Sequence, residues 1–266
     1  MKLHNFKDYL KLNVDTKSTQ INYYNRVKCF FDLFDEFNQA NINAFLSKRL
    51  DKISMSTFNQ TITAFNHFAK MVNIEFVFPK YKKITSKEKD YLTEEELTKE
   101  LLPYFKLLFI KESDYFSFII KFLFYTGVRP IEMCKLKTTD IDFKNNIFIC
   151  RDPKNHKDKK VPFPSKLGDL MKRYLQVGME KAFQVNYSTM DYIFLKLNKE
   201  LRYKKHLNPY MLRHSFAHYV LDNGVPIEKL QILMGHAELK TTMIYAKPKV
   251  EDALSSYFEN IKPKGL

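Results

Sequence analysis

Arginine is the scarce cation of this chain, and its positions are the first places to look for chemistry. Lysine and arginine together number 44 against 30 acidic residues, which gives a formal net charge of +14. Only arginine presents a rigid, planar fork of donors that matches two oxygens of one phosphate. The candidate phosphate contacts are therefore Arg26, Arg49, Arg129, Arg151, Arg173, Arg202 and Arg213.

Two of these arginines stand among other residues that can do chemistry. Arg129 follows the end of a predicted helix, and Glu132 comes three residues later. An ordinary ion pair near a helix end would explain that spacing as well as a functional site does. Tyr210 and Arg213 lie one helical turn apart, just after a proline suited to a first helical turn, so they share a face.

A histidine and a tyrosine complete the set. His236 ends the run Leu-Met-Gly-His, and Tyr245 follows it nine residues later. Taken alone, His236 is equally well a buried core histidine, and Tyr245 is one of sixteen tyrosines. The combination of these segments in one order is far more specific than any one of them.

Together these residues resemble the tyrosine recombinase (phage integrase) family, in its two-domain Xer-like or Cre-like form. The family pattern is T-G-x-R-x-x-E, a strand-loop lysine before V-P, H-x-L-R-H, L-G-H and a tyrosine nine residues on. Matching positions occur here in the same order and at the same spacing, over most of residues 92–245: Arg129, Lys154, Arg213, His236 and Tyr245.

The resemblance implies a site-specific recombinase that cleaves and rejoins duplex DNA through a 3'-phosphotyrosine. Tyr245 would be the nucleophile, and Arg129 and Arg213 would stabilise charge on the nonbridging oxygens. His236 would be a third donor. The covalent link conserves the bond energy, so no metal, ATP or other cofactor is expected. The implied partners are a DNA recombination site and further copies of the chain, as a tetramer on DNA, for integration, excision or dimer resolution.

Lys154 is the expected acid that protonates the departing 5' oxygen. Its spacing to the Val-Pro pair at 161–162 selects it, although Lys157, Lys159 and Lys160 share the same loop. Nearby positive charge favours a lowered pKa for this lysine, which suits an acid acting near neutral pH.

Tyr210 departs from the pattern, because the family usually has a histidine there. A phenol with an ordinary pKa near 10 is a poor base at neutral pH. Two interpretations stay open: Tyr210 donates a hydrogen bond to phosphate and the chemistry proceeds without a strong base, or the enzyme is weakened or dead. Some archaeal plasmid integrases look similar in having a tyrosine at this place. We predict that Tyr210 contributes to the site but is dispensable.

Three other classes of function compete. His214 and His218 stand four apart, as in zinc hydrolases, but no glutamate follows the first histidine, so core or DNA-backbone positions explain them better. A type IB topoisomerase uses related chemistry and would relax supercoiled DNA without site preference. A DNA-binding regulator on the same scaffold would bind a site without forming a covalent product.

The first 78 residues predict a helical bundle. Apolar residues recur every three or four positions, after the possible N-caps Ser18 or Thr19, Asn41 and Ser54, and an earlier helix surrounds Phe6, Tyr9 and Leu10. The stripe of aromatic residues is expected to be core. By resemblance this part is a core-binding, SAM-like domain, followed by a linker at 79–91 and a catalytic domain at 92–266 with a C-terminal helix.

The second part predicts helices around one small sheet, so the fold class is mainly α. Thr93 and Glu96 have the form of a capping box, and Gly127 is expected to end the helix 114–125. Strands at 140–143, 147–150 and 160–163 predict a three-stranded antiparallel sheet. Helices follow at 166–176, 190–203, 210–223, 227–234, 238–245 and 250–260, and the last packs either on its own domain or on a neighbouring copy.

The basic excess is spread along the chain, which fits nucleic-acid binding by the whole body, although a generally lysine-rich composition would give the same excess. Three cysteines without a C-x-x-C pair predict neither disulfides nor a thiolate zinc site. With no signal-peptide core and no long apolar run, we expect a reducing, cytoplasmic setting. We expect no arm-binding module before the bundle, which would favour simple recombination.

Overall fold

The computed structural model describes residues 2–82, 90–104, 113–151, 158–175, 179–201, 203–236 and 238–245. Its contacts divide the chain into two compact units, Met1–Lys87 and Glu88–Leu266. The expected domain limits at 78 and 92 stay predictions. None of the described helices combines the length and apolar character needed to cross a membrane.

The first unit is helical throughout most of its described length. Its helices are α1 (Lys2–Asn13), α2 (Lys17–Phe31), α3 (Gln39–Leu50) and α4 (Met55–Val72). The predicted N-cap Ser54 is confirmed, but the other two starts were placed too late. Thr16 and Asn38 are the caps, and their side chains accept the amides of Thr19 and Asn41. Three residues that can cap a helix stand at 16–19 and two stand at 38–41, so side-chain type alone could not choose among them.

Phenylalanine rings build the core of the first unit, as the aromatic stripe predicted. Phe30 is fully buried, and its ring meets those of Phe45 and Phe65 at 5.4 and 5.3 Å between centroids. The Phe30–Phe65 pair is edge-to-face, an arrangement that adds about 0.5–1.5 kcal/mol beyond simple burial. These rings hold α2, α3 and α4 together.

The second unit is helical around one small sheet, which confirms the predicted fold class. A π-type helical segment (Glu96–Leu101) comes first, and 3-10 turns occur at Thr138–Asp140 and Met243–Tyr245. The α-helices described in this unit are α5 (Ser113–Thr126), α6 (Pro130–Met133), α7 (Ser165–Tyr174), α8 (Tyr187–Leu201), α9 (Pro209–Asp222), α10 (Ile227–Met234) and α11 (Leu239–Thr242).

The sheet has the predicted antiparallel order β1 (Ile141–Asp142), β2 (Ile147–Cys150) and β3 (Lys159–Pro162). β3 begins one residue earlier than expected, and Lys159 pairs with Cys150. Because side chains alternate along a strand, Lys159 lies on the same face as the buried Val161. The sheet therefore directs one lysine inward.

Helix α9 carries the HxLRH-like segment and packs against the strongly apolar α5. The amide of Leu92 donates to Ser215 Oγ of α9 at 2.8 Å, just before the confirmed capping box of Thr93 and Glu96. The expected helix at 238–245 is the short α11 followed by a 3-10 turn that ends at Tyr245. The expected helix at 250–260 lies outside the described residues.

Candidate active site

Arg213 is the buried centre of the candidate site. Only 4% of it is exposed, and its guanidinium donates to the carbonyl oxygens of Gly127 at 2.6 Å and Met234 at 2.5 Å. These carbonyls stand at the C-terminal ends of α5 and α10, where helix dipoles favour a cation. Burial and the nearby Arg129 lower the pKa of Arg213 to about 10, so it remains charged at neutral pH.

Gly127 is a position that only glycine fits. Its φ is +59°, and a Cβ there would come within 2.1 Å of the Phe216 ring. The left-handed backbone ends α5 and turns its carbonyl to Arg213, so the predicted C′ glycine is also a site-shaping residue.

Arg129 is held at the entrance to the short helix α6. Its backbone amide donates to Glu132 Oε2 at 3.0 Å, and its Nη1 donates to Glu132 Oε1 at 2.7 Å. Pro130 follows at the first helical position, where its missing amide costs nothing. The ion pair considered from sequence is formed, and 37% of the Arg129 side chain is still exposed.

Lys159 joins this pair from the sheet, and sequence reasoning had not selected it. Its Nζ lies 3.3 Å from Glu132 Oε2, with only 13% of the side chain exposed. Burial and the nearby Arg213 lower its pKa, partly opposed by Glu132. Its stem runs past Gly235, where an added Cβ would meet the Lys159 Cδ at 2.6 Å. Side chains alternate along a strand, and this alternation with the buried Val161 was the sequence signal that could have identified Lys159.

Glu132 is therefore shared by two cations. Burial by itself would raise its pKa, but Lys159 and Arg129 outweigh burial and hold the pKa below its usual value. The carboxylate stays ionised and fixes both cations in position. Lys154, the lysine expected as the acid, lies outside the described residues.

His236 connects Arg213 to the segment that ends in Tyr245. Its Nε2 lies 3.2 Å from Arg213 Nη2, and its Nδ1 lies 2.9 Å from Thr242 Oγ1. Burial and the cations Arg213, Arg129 and Lys159 lower its pKa to about 4, so the ring is neutral at pH 7. Because a guanidinium can only donate, Nε2 accepts and the ring proton is assigned to Nδ1.

Tyr245 is buried at the end of the 3-10 turn, with 8% exposed. Its hydroxyl lies 2.6 Å from Nδ1 of His214, the residue directly after Arg213. The rings of Tyr245 and His218 pack edge to face, with their centroids 5.7 Å apart. Burial raises the pKa of Tyr245, partly opposed by Arg213.

The family of this chain follows from its similarity to known proteins. The model of the phage integrase family matches residues 92–252. The chain belongs to this family, the tyrosine recombinases. The expected family is thus confirmed, and the chain is a site-specific recombinase.

Several named relatives of this recombinase match it over nearly their whole length. The XerA recombinase of Thermococcus onnurineus is 29% identical over 94% of this chain and 91% of its own. The XerA recombinase of Pyrococcus horikoshii is 30% identical over 92% of this chain and 88% of its own.

Solved structures show the same fold. A crystal structure of XerA recombinase matches with a TM-score of 0.52 at 24% identity, over 98% of this chain and 99% of the other. The Tn1549 transposon integrase in complex with transposon right-end DNA matches with a TM-score of 0.74 at 16% identity, over 97% and 98%.

In this recombinase, Tyr210 stands apart from the other expected site residues. It lies in the first turn of α9 with 41% exposed, and its hydroxyl makes no hydrogen bond to another described residue. The structure therefore brings together Arg129, Arg213, His236 and Tyr245, adds Lys159 and His214, and leaves Tyr210 at the surface.

The described part of the recombinase contains no group of three or more side chains suited to hold a metal. His218, one of the two histidines spaced as in zinc hydrolases, stacks on Tyr91 with 3.7 Å between ring centroids. His214 is paired with Tyr245.

Proposed function

We propose that this recombinase cuts and rejoins duplex DNA at a specific site through a covalent link between the Tyr245 oxygen and a 3' phosphate. The observation that carries this proposal is the convergence of a buried tyrosine hydroxyl with a cluster of cations. Arg213 lies in the same cluster as His236, and His236 is bonded to the segment that ends in Tyr245.

The cluster suits an in-line displacement at phosphorus. Arg213 and Arg129 would face the nonbridging oxygens, whose negative charge grows in the transition state, and fixed cations in a water-poor site stabilise that charge strongly. The Tyr245 oxygen bonds to phosphorus as the bond to the 5' oxygen breaks, and that oxygen takes a proton from a lysine. Lys154 stays our proposed donor, and Lys159 holds the carboxylate of Glu132 together with Arg129.

His236 would contribute a hydrogen bond to the phosphate only after its proton moves. Its Nε2 now accepts from Arg213, so donation from that nitrogen needs the other tautomer or the protonated ring. A bound phosphate supplies negative charge that favours the protonated ring. We therefore assign His236 as a donor in the DNA complex.

The proposed partner is double-stranded DNA, and the net charge of +14 supports it. The Tn1549 integrase and a lambda integrase dimer, both similar in fold, were solved with DNA bound. We propose a tetramer of this chain on its DNA, acting in integration, excision or dimer resolution. The C-terminal residues 246–266 lie outside the described residues, and their packing on a neighbouring copy stays a prediction, as does the cytoplasmic setting.

The first unit offers its own phosphate site. Arg26 and Arg49 line an open pocket of about 430 Å³ with Asn22, Asn25 and Thr61. Among the described residues, the hydrogen-bond partners of both guanidiniums are neutral. Burial and the nearby Arg49 lower the pKa of Arg26. A DNA phosphate would offset part of the charge of this pair.

The test starts by selecting a binding site from a random DNA library with the purified chain. The selected site is then built with a nick, so that cleavage releases a short strand and traps the covalent complex. A protein–DNA complex stable in detergent supports the proposal. Binding without such a complex would indicate a regulator, and equal relaxation of supercoiled plasmids with and without the site would indicate a topoisomerase.

A further inference from the structure

We propose that His214 accepts the proton of the Tyr245 hydroxyl during attack on phosphorus and returns it during rejoining. This inference rests on the proposed function, because it assigns the missing proton acceptor of the same reaction. It assigns a catalytic role to the last histidine of the H-x-L-R-H segment, to which the family resemblance gave no role.

The contact itself is short and direct. His214 Nδ1 and Tyr245 Oη are 2.6 Å apart, with ring centroids at 5.6 Å. A candidate base must stand within about 2.6–3.2 Å of the proton that it removes, and His214 meets that condition. Tyr210, which stands where the family places a histidine, is exposed and is itself a phenol.

The hydrogen bonds of Arg213 and His236 fix both partners of this contact. His214 follows Arg213 on α9, and Arg213 is anchored on the carbonyl oxygens of Gly127 and Met234. Tyr245 ends the turn after Thr242, whose hydroxyl is bonded to His236. A phosphate held by Arg213 would therefore meet the tyrosine and its acceptor at a preset spacing.

The need for an acceptor follows from the surroundings of Tyr245. Burial raises the pKa of the phenol above its ordinary value of 10.0, so the hydroxyl is protonated at neutral pH. A protonated phenol is a weak nucleophile until a neighbouring base takes its proton. The imidazole of His214 is already hydrogen-bonded to this hydroxyl, and an imidazole is a side chain that can take up a proton near neutral pH.

The proton balance closes with the groups already described. In the accepting tautomer, His214 carries its ring proton on Nε2 and receives the phenolic proton on Nδ1. The Tyr245 oxygen bonds to phosphorus, the bond to the 5' oxygen breaks, and the lysine acid protonates that oxygen. The imidazolium left on His214 stands beside a new phosphodiester anion, which stabilises it until rejoining reverses each transfer.

The test compares His214→Ala and His214→Asn in single-turnover cleavage of the nicked substrate. Asparagine places an oxygen near the position of Nδ1, so it keeps a hydrogen-bond acceptor that is not basic. His206→Ala is the matched control, because His206 is an exposed histidine of the same unit. We expect both His214 variants to lose at least about 100-fold in cleavage rate, as is typical for loss of a general base, and His206→Ala to match the wild type.

Chemical rescue separates proton transfer from a structural role. Added imidazoles should restore cleavage by His214→Ala, and the restored rate should rise with the basicity of the imidazole. A substrate with sulfur in place of the bridging 5' oxygen needs no acid for its departure. It should rescue Lys154→Ala but leave both His214 variants slow.

Several results would overturn the proposal. They are wild-type cleavage by His214→Asn, rescue that ignores the basicity of the imidazole, or full recovery of the His214 variants on the sulfur substrate. If His214→Ala does not fold, His214→Asn and the sulfur substrate still decide the question. A wild-type chain without any covalent complex would instead count against the proposed function.

Discussion

The Nη2 atom of Arg213 lies 3.2 Å from Nε2 of His236, joining two segments 23 residues apart in the chain. Arg213 is itself bonded to the last carbonyl of α10, directly before Gly235 and His236. The arginine thus fixes both the position and the tautomer of the histidine. Because Arg213 is charged and His236 is neutral, the cluster carries positive charge that can bind an anion.

The neutral state of His236 makes the stability of the fold depend on pH. Its pKa is lowered from 6.5 to about 4, so the folded chain binds fewer protons than the unfolded chain between these values. The associated stability is fully present above pH 6.5 and is lost as the pH falls toward 4. The free energy of unfolding of the wild type should therefore fall more steeply on acidification than that of His236→Asn. A constant difference between the two proteins from pH 7 to pH 4.5 would contradict the assignment.

Lys159 should matter for cleavage and little for stability. Lys159→Met keeps an apolar stem against Gly235 but removes the cation that shares Glu132. The Glu132 carboxylate keeps its ion pair with Arg129 in this variant, so no buried charge is left unpaired and the stability should change little. We expect a loss of at least about tenfold in single-turnover cleavage, below the 10²–10³ of a direct donor. Lys160→Met, at the exposed neighbouring position of β3, is the matched control. Equal cleavage rates for Lys159→Met and Lys160→Met would exclude a contribution of Lys159 to cleavage.

Tyr210 should be dispensable for the chemical step. Its exposure and its lack of a hydrogen bond within the described residues leave it no essential contact in the resting site. Tyr210→Phe removes only the hydroxyl, so we expect measurable covalent complex. A hydrogen bond from this hydroxyl to the charged phosphate would contribute about 1.5–3 kcal/mol, so its loss would slow cleavage by about 10- to 150-fold. Complete loss of the complex in the nicked-substrate assay would show that Tyr210 is required.

The arginine pair of the first unit should contribute one phosphate contact. Arg49→Gln keeps a polar side chain over Phe45 but removes the charge. Each neutralised phosphate contributes about 0.9 to the slope of log affinity against log salt, so the slope should become shallower by about one unit. Lys11→Gln, which alters a lysine paired with Asp8, should leave the slope nearly unchanged. Identical slopes for wild type and Arg49→Gln would argue against this contact.

The parts of the fold that sequence predicted are those governed by local rules. The capping box of Thr93 and Glu96 and the ending of α5 at Gly127 follow from short-range hydrogen bonding, and both are formed. The spacing of nine residues between His236 and Tyr245 corresponds to α11 and a 3-10 turn that bring Thr242 back to His236. The local spacing of residues therefore predicted much of the candidate site.

The residues that sequence missed depend on tertiary packing. In the sequence, His214 was considered only as a possible zinc ligand together with His218, four residues away on the same helix. Helical spacing identifies neighbours within one helix, so it could not show that His214 contacts Tyr245, which is distant in the chain. Lys159 was one of four lysines in one loop, and only the register of β3 against β2 separates it from the others. The short helix α6 was missed because four residues give no periodic signal.

The most direct test of the account is to identify the residue that becomes joined to DNA. The trapped complex would be digested with protease and nuclease, and the peptide that retains a nucleotide would be mapped by mass spectrometry. We predict a nucleotide linked through its 3' phosphate to Tyr245, and no such peptide from Tyr245→Phe. A nucleotide on any other residue, or a complex that persists in Tyr245→Phe, would contradict it.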